Sequence, residues 1–195
     1  MKLITKCIFL VACLAYPPAW AQETNGCPGG SYSIVISPDG KSLSLLFDQF
    51  TLKSSRVSGS AMPSKVCRIS APLNLPANHS IGVYKVDYRG FAKLFAKQET
   101  SLEVQYFLGP RDTEHGRVFK RKVKGPSEGD YLFSETIGAG QMKRVGCGTT
   151  AVLNVGITLS LEGVQQASEA MSSLDTTDAA RGGSLVYHLD LKKCS

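Results

Sequence analysis

The chain has 195 residues, 43% hydrophobic and 19% charged, with a formal net charge of +6. That balance excludes a highly charged disordered chain, and no apolar run approaches the ~18 to 20 residues a membrane-spanning helix requires. The mild positive charge favours acidic partners, such as anionic glycans or a membrane face, and does not argue for nucleic acid.

At the start, Lys2 and Lys6 flank an apolar core from Cys7 to Ala15, and Ala19-Trp20-Ala21 forms an A-x-A cleavage region. Residues 1–21 therefore read as a signal peptide, and residues 22–195 as a single secreted domain. Leu10-Val11-Ala12-Cys13 offers a competing reading, a lipoprotein box with Cys13 carrying the lipid, although the apolar stretch before Cys13 is short for one. Loss of the leader's two lysines lowers the net charge from +6 to +4. The expected location is extracytoplasmic, secreted or periplasmic, with no transmembrane segment in the mature chain.

Strand-like runs follow in order. Tyr32 to Ser37 and Ser42 to Phe50 flank Pro38-Asp39-Gly40-Lys41, a hairpin signal because Asp-Gly accepts left-handed turn geometry. Val66 to Leu75 contains Pro72, which cannot donate to a ladder and so predicts an edge strand or a bulge. In Ser80 to Tyr88 the apolar phase slips by one residue near Gly82 to Tyr84, which predicts a β-bulge. Phe91 to Ala96 and Leu102 to Leu108 come next, then a polar stretch from Gly109 to Asp130, then Tyr131 to Ile137. Ala151 to Leu161 keeps Leu153, Val155, Ile157, Leu159 and Leu161 in one phase, and Leu185 to Leu191 alternates again. Val164 to Leu174 fits a short helix or an extended segment equally. No tandem repeat is present. Some eight or nine short strands without strand-helix alternation predict an all-β antiparallel sandwich.

Four cysteines remain after the leader: Cys27, Cys67, Cys147 and Cys194. They suit disulfides in an oxidising compartment better than zinc, since no C-x-x-C knuckle is present. If the first three strands form a meander, the first and third run parallel, which brings Cys27 to Cys67. If the strand after Cys147 pairs antiparallel with the last strand, Cys147 meets Cys194. Each bridge would close a loop of roughly 40 to 50 residues and add ~4 kcal/mol in the chain-entropy account.

A family resemblance rests on Asn25-Gly26-Cys27-Pro28, Phe47-Asp48-Gln49-Phe50, Lys65-Val66-Cys67-Arg68-Ile69, Leu75-Pro76 and Val86-Asp87-Tyr88-Arg89-Gly90. It continues through Tyr106-Phe107-Leu108-Gly109, Gly146-Cys147-Gly148 and Leu189-Asp190-Leu191-Lys192-Lys193-Cys194. Together these resemble the small secreted proteins grouped as domain of unknown function 4360. Arg144-Val145-Gly146 and Leu191-Lys192 depart from the aromatic-Ser-Pro and Trp-Arg usual in that family. The resemblance implies an extracytoplasmic β-rich protein and supplies no activity or catalytic residues.

Catalytic constellations are missing from the residues themselves. His79, His115 and His188 stand outside any H-E-x-x-H or G-x-S-x-G context, and solvated or structural roles suit each. Asp112-Thr113-Glu114-His115 and the pair Asp175 and Asp178 hold metal-ligand types, but a polar loop tip and turn capping account for them. Gly138 to Lys143 lacks the spacing and terminal hydroxyl of a phosphate loop. No cofactor or metal site is expected. The strongest charge feature is Arg117, Lys120, Arg121, Lys122 and Lys124, interrupted by Val118, Phe119 and Val123. It suits an anionic polysaccharide or lipid headgroup with Phe119 as a partial anchor, although guarding an edge strand is the commoner use of such lysines. In Asp87-Tyr88-Arg89-Gly90, Gly90 reads as a bend, and Arg89 as a partner of Asp87 or of an aromatic ring. Asn78-His79-Ser80 is a glycosylation sequon. The favoured expectation is a non-enzymatic secreted or envelope-associated binding module. The alternative is a secreted hydrolase or enzyme inhibitor whose site is assembled from distant loops.

Overall fold

The computed structural model describes residues 26–54, 63–109, 116–163, 170–174 and 185–194. The leader, Cys13, Asp112, Glu114, His115, Asp175 and Asp178 lie outside them.

Strands β1 (Tyr32–Ile36) and β2 (Ser42–Phe47) form the hairpin that Asp39-Gly40 signals, with Gly40 at φ 67°. The strands β3 (Thr51–Lys53), β4 (Ser64–Leu73), β5 (His79–Leu94), β6 (Glu99–Leu108), β7 (Arg117–Lys124) and β8 (Ser127–Thr136) follow. A short 3-10 turn at Ala139–Gln141 then leads into β9 (Arg144–Gly146), β10 (Ala151–Glu162), β11 (Met171–Ser173) and β12 (Leu185–Lys193). They form two antiparallel sheets. The larger runs β1-β2-β12-β5-β11-β3, with β8 and β9 on the other side of β5, and the smaller runs β4-β10-β6-β7. Among the described residues no helix is long and apolar enough to cross a membrane.

Alternation decides which faces are buried. Leu43, Leu45 and Phe47 on β2, Val86 and Tyr88 on β5, and Leu185, Tyr187 and Leu189 on β12 face Ile69 and Ala71 on β4, Val104 and Tyr106 on β6, and Leu153 to Leu159 on β10. Tyr88 stacks on Phe119 of the opposite sheet with ring centroids 3.9 Å apart. Apolar area removed from water on two facing sheets is the dominant stabilising term of such a sandwich.

Several local expectations change. The phase slip does mark a bulge: the β5–β12 register shifts between His188 and Leu189, with Tyr84 as the extra residue. Pro72 sits on β4, an edge strand of the smaller sheet. Phe91 to Ala96 is no separate strand, because β5 continues through Gly90 for sixteen residues in all. Gly90 is not a bend. A side chain there would come within 2.3 Å of the Tyr131 hydroxyl and 2.4 Å of the Ser173 carbonyl, so its bareness lets β8 and β11 pack close. The polar stretch after Gly109 holds a whole strand, β7, and the start of β8. Met171–Ser173 is strand; the rest of the ambiguous segment before Ala170 lies outside the described residues.

Cys27 is bridged to Cys67 and Cys147 to Cys194, by routes other than those argued from the sequence. The third long run, β4, is not the end of a meander but belongs to the smaller sheet, so the Cys27–Cys67 bridge ties the entry to β1 across to that sheet. Likewise β10 and β12 lie in different sheets. Cys147 instead leaves β9 and Cys194 leaves β12, and these two strands flank the start of β5. The amides of Cys147 and Cys194 donate to the His79 and Asn78 carbonyls.

Candidate functional site

The basic cluster falls on the two faces of β7, the edge of the smaller sheet. Lys120, Lys122 and Lys124 point outward across the ladder from β6, where Lys120 pairs with Glu103 at 2.9 Å and Lys122 with Glu99 and, at 3.6 Å, with Glu162. Arg117 and Arg121 share the other face with Phe119. Arg121 lies 4.7 Å over the Phe119 ring, and Phe119 itself is buried, so it anchors the core rather than a ligand. Most of the cluster's charge is thus balanced within the protein.

Arg117 enters an inward-facing polar nest. Its guanidinium reaches Glu135 Oε1 at 2.8 and 3.2 Å, while the hydroxyls of Tyr88 and Tyr106 donate to Oε2 at 3.1 and 3.3 Å. Burial pushes the Tyr88, Tyr106 and Tyr187 hydroxyls well above the ordinary tyrosine value, which keeps them protonated donors. The Tyr187 hydroxyl is buried with no partner among the described residues. This nest closes the side of the sandwich between β7 and β8.

The family sequence Asp87-Tyr88-Arg89-Gly90 lies at the centre of the larger sheet. Tyr88 points into the core, and Asp87 points to the outer face, where it is only 9% exposed. Its carboxylate accepts from the Ser134 hydroxyl on β8, takes Lys85 Nζ at 3.0 Å, and meets His188 Nε2 on β12 at 2.8 Å. Burial pushes the Asp87 carboxyl up, but the hydrogen bonds from Ser134, His188 and Lys85 outweigh it, and its pKa falls below 3.8. The bulge turns Tyr84 outward beside this cluster, 42% exposed, its ring centroid 5.9 Å from that of His188.

Ser134, His188 and Asp87 are the residue types of a hydrolytic triad in the wrong order. A nucleophile needs the base beside it, whereas Asp87 stands between the other two and occupies His188 Nε2. What the arrangement provides is a face with an exposed aromatic ring, an imidazole held through Nε2, a hydroxyl and an ammonium group. His188 lies on the outward face the alternation predicts, 27% exposed at its side chain and held by Asp87. His79 opens β5, at a cleft of about 360 Å³ by the Cys147–Cys194 bridge that is also lined by Asn74, Leu75, Gly146 and Thr149. Among the described residues no three His, Cys, Asp or Glu side chains could hold a metal ion.

Sequence reasoning missed Tyr84, Ser134 and Glu135. The phase slip at Tyr84 was a signal. So was Glu135, a carboxylate in phase with Tyr131 and Phe133 on the apolar face of β8. Ser134 carried none.

Replacing Asp87 with asparagine is expected to cost about 2 kcal/mol near neutral pH, the scale of hydrogen bonds to a charged group. Because the folded pKa lies below the ordinary value of 3.8, this stabilisation is complete above that value and lost as pH falls through the folded one. Urea unfolding at a series of acid pH values should show the wild-type advantage over D87N disappearing in that window. An advantage constant with pH would contradict the assignment.

These features define a two-sheet, two-bridge β-sandwich with a polar-aromatic cluster on its larger sheet. The chain belongs to the family described as domain of unknown function (DUF4360), whose model matches residues 22–194. It is also similar to an uncharacterized secreted protein of Arthroderma benhamiae, 25% identical over 172 residues that make up 88% of this chain and 68% of the relative.

Proposed function

We propose that this protein is a non-catalytic extracellular module that binds an anionic glycan, or a similarly charged cell-surface component, on the outer face of its larger sheet. The observation that carries the reading is the exposed Tyr84 ring standing beside the Asp87–His188–Lys85–Ser134 cluster. A tyrosine ring offers an apolar face to the carbon-bound hydrogens of a sugar and a hydroxyl to its oxygens. Lys85, paired with Asp87 at 3.0 Å, and His188 offer hydrogen-bonding groups already held in place, which lowers the ordering cost of binding. The relative bears a secreted description and two disulfides suit an oxidising compartment, both in keeping with an extracellular location. The β7 lysines are a weaker seat, since Lys120 and Lys122 are paired with Glu99, Glu103 and Glu162 and the ring beside them, Phe119, is buried.

Retention on immobilised acidic and neutral polysaccharides tests this. The wild type should be held by the acidic matrices in a salt-sensitive way, and Tyr84→Ala should weaken retention about two- to tenfold, the scale of one lost aromatic contact. Failure to bind any acidic glycan, cell-wall preparation or anionic lipid would sink the reading. Turnover of peptide, ester or glycoside substrates that His188→Ala abolishes would replace it with the hydrolase alternative.

A further inference from the structure

Among the described residues the larger sheet ends on β1 at one side, and no strand pairs with that edge. Ile34, Val35 and Ile36 are 37%, 47% and 45% exposed, and the strand Tyr-Ser-Ile-Val-Ile holds neither charge nor proline. An unpaired edge is a row of backbone donors and acceptors that templates another strand, and folded chains blunt such edges with lysine, proline or short length. Among the described residues the other edges are blunted in these ways. β7 carries Lys120, Lys122 and Lys124, β4 carries Pro72 with Lys65 and Arg68, β8 carries Glu128 and Asp130, and β3 has three residues.

We propose that β1 is a self-association surface: two copies of the chain pair their β1 strands antiparallel about a two-fold axis at Ile34, joining two larger sheets into one. A symmetric contact needs a surface complementary to itself. In this register Tyr32 faces Ile36, Ser33 faces Val35 and Ile34 faces its own copy, so apolar groups meet apolar groups or a hydroxyl and no charge is opposed. The side chains on the core side of β1 that overhang into solvent, Ile34 and Ile36, gain a partner's copies as cover. A charged peptide strand would find nothing on β1 to read its side chains, which is why a second copy is the occupant.

The two-fold axis stands perpendicular to the sheet, so both outer faces point the same way. From one β5 to the other there are seven interstrand steps of ~4.8 Å, which puts the two Tyr84 rings about 34 Å apart on one surface. A polymeric ligand would then be held at two points and gain avidity without new contacts. That consequence rests on the glycan-binding reading above; the strand pairing does not.

Sedimentation velocity over a concentration series, on the protein with both bridges formed, tests the pairing. The wild type should show a concentration-dependent dimer. Val35→Lys and Ile34→Lys should be monomeric at the same concentrations with an unchanged near-ultraviolet dichroism spectrum, Val35→Lys being the variant whose exposed site least disturbs folding. Ile34→Cys should crosslink to its own copy on oxidation, since directly opposed Cβ atoms lie ~5 Å apart, whereas Leu132→Cys on the far side of the sheet should not. A wild type that is monomeric throughout, or a dimer that survives both lysine variants, overturns the proposal. Glycan retention by monomeric Val35→Lys would show that the binding reading stands separately.

Discussion

Glu135→Ala is expected to lower folding stability by about 2 to 6 kcal/mol, the cost of leaving two buried phenol hydroxyls without their acceptor. Glu135 is 16% exposed at its side chain and accepts from Arg117, Tyr88 and Tyr106 together. Its loss strands the two phenol groups, while the Arg117 side chain, 36% exposed, turns to solvent, in a region where the Tyr187 hydroxyl already lacks a partner among the described residues. Each unsatisfied buried group costs about 1 to 3 kcal/mol, so the two phenols together account for the range. The glutamine variant keeps an acceptor and should cost less, while Arg117→Met combined with Glu135→Leu should recover only the part due to the unpaired guanidinium, because the two phenol hydroxyls still lack their acceptor. Guanidinium unfolding of the four proteins decides the matter. If the glutamine variant is as unstable as Glu135→Ala, the damage comes from packing and the hydrogen bonds to Glu135 are incidental.

The contrast between that nest and β7 explains what could be read from the sequence. Where one face of a strand is buried and the other wet, alternation shows it, as in Leu43, Leu45 and Phe47 or the five residues from Leu153 to Leu161, and these strands stand where expected. β7 is an edge strand that buries little beyond Phe119 and carries its lysines outward, so it has no apolar alternation to read and passes for a polar loop. The strands β3, β9 and β11 are three residues long and carry no periodic signal at all; their ladders depend on β5 and on one another. The site divides similarly. Asp87 and His188 were visible as residues, but their meeting was not, because it depends on which strands flank β5, and a long-range order of strands leaves no mark on local pattern. The disulfides illustrate the same limit: a meander argument joined Cys27 to Cys67, whereas the chain joins them by crossing between sheets.

That crossing leads to the second large effect. Replacing both Cys27 and Cys67 with alanine is expected to cost about 4 kcal/mol from loop entropy alone, for a bridge spanning 40 residues. The Cys147–Cys194 bridge spans 47, a difference that changes the entropic contribution by only ~0.1 kcal/mol, so on chain entropy the two double variants should be equally unstable. Their surroundings differ. Cys27 and Cys67 are 1% and 0% exposed within the core, while Cys147 is exposed. Removing the first pair therefore also leaves unfilled space between the sheets, worth about 1 to 2 kcal/mol more. The first pair also anchors the segment that leads into β1, since the Gly26 amide beside Cys27 donates to the Val66 carbonyl of β4. Without it β1 should fray first, seen as faster amide exchange from Tyr32 to Ile36, and any dimer built on that strand should weaken with it. The Cys147–Cys194 variant should instead loosen the start of β5 and the end of β12 and leave self-association unchanged. Chemical denaturation, amide exchange and sedimentation on the two variants separate these outcomes. Equal stability losses, with β1 protected alike in both, would mean that the buried bridge contributes nothing beyond the closing of a loop.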